Sequence, residues 1–103
     1  MKSEKSFGET IRKLRTENHL TLREVAEQLN IDTSMLGKIE KNKRNPSKKF
    51  IKDISNLFNI DEDLLTVAHL SDTIAYSILD EKSTTDILKV AEEKINYYNK
   101  SKK

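Results

Sequence analysis

Six cations fall between Lys38 and Lys49: Lys38, Lys41, Lys43, Arg44, Lys48 and Lys49, against Glu40 as the one acid. Ammonium and guanidinium groups at this density suit a polyanion, although a run of charge can also be nothing more than a solvated surface. The wider distribution favours the first use. Residues 1–50 hold 12 Lys+Arg and 7 Asp+Glu, a balance of +5, whereas residues 51–103 hold 7 and 10, a balance of −3. No other chemistry is offered. There is no cysteine, so thiol catalysis, thiolate metal sites and disulfides are excluded. His19 and His69 stand apart from any other ligand, and no glycine-rich phosphate loop, nucleophile–base pair or zinc spacing occurs. No catalytic residue, metal or cofactor is expected, and the chain does not read as an enzyme.

The basic run needs a scaffold. A length of 103 residues allows one small domain with an appendage. Charged residues make up 35% and mean hydropathy is −0.72, so high solubility is expected. No apolar run approaches the roughly 18 residues of a membrane span. The opening "MKSEKSFGET" lacks the apolar stretch of a signal peptide, and the lack of cysteine fits a cytoplasmic location. Helix formers dominate without any alternating strand pattern, so the fold class is all-α.

Phe7, Ile11 and Leu14 predict a first helix over about 7–18. Thr21 and Glu24 have the spacing of a capping box opening a second helix, whose buried face is Leu22, Val25, Ala26 and Leu29. Asn30 tolerates the left-handed conformation and can end that helix. Asp32 can cap a third, with Leu36 and Ile39 facing inward. Two helices of about eight residues joined by so short a turn must cross steeply, which is a helix-turn-helix. Ser47 can cap a fourth helix after Pro46, with Phe50, Ile51, Ile54, Leu57 and Phe58 as core.

The stretch "TLREVAEQLNIDTSMLGKIEKNKRNPS" resembles the XRE-type, lambda-repressor-like helix-turn-helix family. Thr21, Val25, Ala26, Ile31, Leu36, Ile39, Glu40 and Pro46 carry the likeness, and Arg15 matches the family arginine that pairs with Glu40. "FIKDISNLFNIDEDLL" is similar to the family's fourth and fifth helices, so the likeness spans roughly residues 6–67. It implies a five-helix DNA-binding domain over residues 1–67. Leu22 departs from a frequent glutamine that contacts phosphate; Asn30 and Asn42 replace turn glycines. With the third helix in the major groove, Thr33, Ser34, Gly37 and Lys38 become the expected base contacts. Met35 suits either a thymine methyl or the core. Arg23, Lys41, Asn42, Lys43, Arg44 and Asn45 become the expected phosphate contacts, and Arg15 with Glu40 a structural ion pair.

Two further amphipathic helices are expected in residues 68–103. Val67, Leu70, Ile74 and Ile78 repeat on one; Ile87, Ala91, Ile95 and Tyr98 repeat on the other, which Thr84 or Thr85 could cap. The second set is assigned to dimerisation, because helix-turn-helix proteins commonly double their contacts on palindromic sites. The expected function is a dimeric, sequence-specific DNA-binding regulator, most simply a repressor, with double-stranded DNA as partner. A restriction–modification controller or a phage-type repressor is a narrower form of the same expectation. The rival is an antitoxin or antagonist whose C-terminal helices bind a protein partner, with DNA binding secondary.

Overall fold

The helices of this chain are set by what stands at their ends. The computed structural model describes residues 5–102, and the described residues form six α-helices: α1 Phe7–Glu17, α2 Leu22–Leu29, α3 Thr33–Glu40, α4 Lys48–Phe58, α5 Glu62–Ile78 and α6 Thr84–Ser101. Residues 1–4, part of the signal-peptide argument and of the first expected domain, lie outside the described residues, as does residue 103.

Ser6 with Glu9 and Thr21 with Glu24 form reciprocal capping boxes at the starts of α1 and α2. The Ser47 hydroxyl accepts the Phe50 N–H at the start of α4, and the Asp61 carboxylate accepts the Asp63 N–H ahead of α5. Two expectations need correction. Asp32 occupies the N-cap position of α3, but its side chain accepts no capping hydrogen bond. Helix α6 begins at Thr84 itself, behind Ser83, so neither Thr84 nor Thr85 caps it from outside.

The far ends share one device. His19, Asn30, Asn42 and Asn59 follow α1, α2, α3 and α4, with φ of 57°, 57°, 61° and 52°. After each, the next N–H reaches back five residues: Leu20 to the Arg15 carbonyl, Ile31 to Ala26, Lys43 to Lys38 and Ile60 to Ser55, at 2.8–3.1 Å. This is the closure of the Schellman motif. A chain with two glycines thereby turns four times on asparagine and histidine.

The described chain divides into two compact units, Met1–Thr73 and Ile74–Lys103. The division falls inside α5, because the expected fifth helix and the first of the two additional helices form one continuous element. Between Glu62 and Ile78 there is no glycine, proline or left-handed residue to stop it.

In the first unit Phe7, Ile11, Val25, Ala26, Leu29, Leu36, Ile39, Phe50, Ile51, Ile54 and Leu65 are buried together. Each large side chain fully removed from water contributes roughly 1.5–3 kcal/mol. Leu14, Leu22, Leu57 and Phe58 pack half-buried against this cluster. Phe7 meets the ring of Phe50 edge-on at 6.5 Å and that of His69 at 5.6 Å. In the second unit no described residue is buried. No helix of the described residues is long and apolar enough to cross a membrane.

Candidate nucleic-acid interface

The candidate surface is the outer face of α3 and the loop that follows it. Leu36 and Ile39 anchor the inner face, which leaves Thr33, Ser34 and Lys38 exposed on the outer one. Met35 is half-buried and packs against the core, so packing is its use here. Gly37 is half-buried beside a hollow lined by Arg12, Arg15, Leu22, Glu40 and Lys41. A Cβ added at Gly37 would meet no heavy atom within 4 Å.

An ion pair fixes the angle of α3 against α1. Arg15 Nε donates to Glu40 Oε2 at 2.8 Å and Nη2 to Oε1 at 3.0 Å, a two-pronged contact. The third arm, Nη1, donates to the Leu20 carbonyl at 3.0 Å. The side chains are only 12% and 5% exposed. Hydrogen bonding to Glu40 raises the Arg15 pKa above its ordinary value despite burial, so the guanidinium keeps its charge.

Lys41, Asn42, Lys43, Arg44 and Asn45 are all exposed, and half-buried Pro46 ends the loop. Among the described residues, Lys38, Lys41, Lys43 and Arg44 form no ion pair. The field of four cations is therefore open to an outside anion. Arg23, also expected at phosphate, lies exposed on α2 and pairs with Glu27 at 3.3 Å; exposed pairs of this kind are worth little and open readily.

Asn42 behaves differently from its neighbours. Its Oδ1 accepts the Gly8 N–H at 3.0 Å, and its Nδ2 donates to Ser6 Oγ at 2.9 Å. The amide is thus engaged with the first turn of α1, a partnership its expected place at a phosphate did not include. Gly8 makes that approach possible. A Cβ there would lie 2.7 Å from Asn42 Oδ1 and closer still to the Ile39 and Glu40 carbonyls.

Sequence reasoning missed Gly8 and Asp72, whose carboxylate accepts the Phe7 N–H at 2.7 Å. The signals were present: a glycine inside a helix, and an acid on the α5 face. The histidines read as isolated have structural places, His19 as a left-handed cap and His69 against Phe7. No described group of three His, Cys, Asp or Glu could hold a metal ion.

Of the residues assigned to dimerisation, Ile87 is half-buried, whereas Ala91, Ile95 and Tyr98 are exposed on α6. Leu88, Val90 and Tyr97 are exposed on the same helix.

The sequence model of the helix-turn-helix family matches residues 11–65, α1 to the start of α5. Two solved structures are similar across 91% of this chain. One is the clp gene regulator ClgR from Corynebacterium glutamicum, with a TM-score of 0.56, 18% identity and 95% of its chain covered. The other is a chain of the SinR protein/SinI protein complex, with a TM-score of 0.54, 20% identity and 98% covered. At these identities the likeness is one of fold. No curated protein sequence gives a significant match.

Proposed function

Since the chain belongs to the XRE-type helix-turn-helix family of DNA-binding transcriptional regulators, we propose that it acts as a dimeric repressor on a palindromic operator. The observation that carries this reading is the open cationic loop at the end of an α3 face free of packing duties. In it, Thr33, Ser34 and Lys38 read base edges, with Gly37 letting the backbone come close, and Lys41, Lys43 and Arg44 grip the phosphates on either side. Phosphate contacts set the register and base contacts choose the sequence. Repression follows from occupying a promoter; a restriction–modification controller or a phage-type repressor would use the same surface.

Dimerisation is supported by α6. With no buried residue among the described ones and Ile95 and Tyr98 each 57% exposed, residues 74–102 have no core of their own. Short helices in water are marginal without tertiary packing, so a covering surface is needed, and a second copy supplies a self-complementary one.

The test is the salt dependence of binding to duplex DNA. Replacing both Lys43 and Arg44 by Ala removes two phosphate contacts, so the slope of log K against log salt should shrink by roughly one to two units, alike for every sequence. Loss of affinity for one site alone, with nonspecific binding intact, would make the loop a base reader instead.

The rival reading makes the chain an antitoxin or antagonist that engages a protein through α6. It draws on the same exposed face, and on one structural neighbour being a complex of two proteins. A chain that binds no duplex at low salt would favour it.

A further inference from the structure

The first turn of α1 presents four N–H groups that no helical carbonyl can satisfy. Here all four are satisfied, two locally and two from distant segments. Ser6 N–H donates to Glu9 Oε1 and Glu9 N–H to Ser6 Oγ. Phe7 N–H donates to Asp72 of α5, and Gly8 N–H to Asn42. Asn42 also donates to Ser6 Oγ, so its amide bridges Ser6 and Gly8, on either side of Phe7 in that turn. The same residue holds the left-handed position that closes α3, with Lys43 N–H on the Lys38 carbonyl at 2.8 Å. Glycine there would satisfy the backbone equally well. What asparagine adds is the bridge.

We propose that Asn42 is a positioning residue for DNA binding: its amide ties the cationic loop to the first turn of α1, and does not itself contact DNA. This rests on the DNA-binding reading above. Lys41, Lys43 and Arg44 then meet the phosphates from a backbone already ordered in the free protein, so less conformational freedom is lost on association. The tether is anchored from both sides, since Asp72 holds Phe7 while Asn42 holds Gly8.

The experiment is a double-mutant cycle on Asn42→Gly and Ser6→Ala, with affinity measured on a short duplex of arbitrary sequence at low salt. Temperatures stay well below melting, and circular dichroism confirms the folded state. Asn42→Gly keeps the left-handed backbone and deletes the bridge. Affinity should fall roughly five- to thirty-fold, the ratio that corresponds to ordering one more residue, with the salt slope unchanged. Gly8 amide exchange should accelerate in the same variant. Ser6→Ala alone should weaken binding, and on the Asn42→Gly background it should add little, as expected for two ends of one tether. A silent Ser6→Ala and a damaging Asn42→Gly whose Gly8 amide exchange is unchanged would place Asn42 on DNA directly and overturn the proposal. So would unchanged affinity in Asn42→Gly. Failure of the wild-type chain to bind the duplex would remove the DNA-binding reading itself, a different result from wild-type binding that is indifferent to the variants.

Discussion

Glu40 is a carboxylate with 5% of its side chain exposed, matched by a guanidinium with 12%. Removing one partner strands the other in a poorly hydrated place, at a cost of roughly 3–5 kcal/mol. That is much of a small domain's stability. Glu40→Ala should therefore lower the melting temperature sharply in the absence of any DNA, whereas unchanged unfolding would mean the pair is not used. The exposed capping-box glutamates behave more gently. Glu24 has its pKa lowered by the Thr21 backbone N–H and then the Thr21 hydroxyl, and Glu9 by the same groups of Ser6. A depressed folded-state value means the capping contribution is present above the ordinary glutamate value and is lost as pH falls through the depressed one. Acid titration followed by circular dichroism should show helix loss in that range, and Glu24→Gln should flatten α2's share of it. At this scale the sequence was legible where spacing is local, as at Thr21 with Glu24. The partnership of Gly8 with Asn42 was not, because it is made by the crossing of α1 and the α3 loop, 34 residues apart.

Helix α3 has little local support of its own. Its N-cap makes no side-chain bond, and glycine within it costs roughly 1 kcal/mol relative to alanine. Packing of Leu36 and Ile39, with the Glu40 pair, compensates. Since the space around Gly37 is open, Gly37→Ala should raise stability by about 0.8–1 kcal/mol, read by chemical denaturation. On the proposed close approach to the groove, DNA affinity should fall in the same variant. Affinity that holds or rises with stability would show that the bare backbone is merely tolerated. The starts of α2 and α4 were readable from Thr21 and Ser47 and the end of α2 from Asn30, since these signals act within a few residues; Ser6 and Asn59, which cap α1 and end α4, were not singled out. The continuity of α5 was hidden because the boundary expected after residue 67 came from the extent of the family likeness, while nothing in the chain's own chemistry breaks the helix there.

At the scale of the molecule, the two units have opposite characters. Met1–Thr73 has a filled core; Ile74–Lys103 shows water Leu79, Leu88, Val90, Ile95, Tyr97 and Tyr98, each at least 45% exposed. If a second copy covers that surface, Ile95→Glu puts a charge into an apolar contact. Light scattering at micromolar concentration should then change from dimer to monomer, while the helical signal of the first unit persists. Operator affinity should drop by about 10²–10⁴-fold as the linkage of two reading heads is lost. A wild-type monomer with full operator affinity would transfer α6 to the rival reading. The core of the first unit was legible from helical periodicity. The use of the second was not, because an apolar stripe looks the same whether its cover comes from its own chain or another.

The left-handed closures after α1 to α4 also bear on time. Each is made by groups five residues apart or fewer, so the corners of the first unit form without waiting for distant segments to meet. Helical domains assembled from such local contacts fold within microseconds to milliseconds. Histidine and asparagine at the corners also leave the unfolded chain fewer conformations to search than glycine would. A first unit that opens while off DNA is thus restored rapidly, and its core residues, Leu36 and Ile54 among them, face the surrounding solution only in brief intervals.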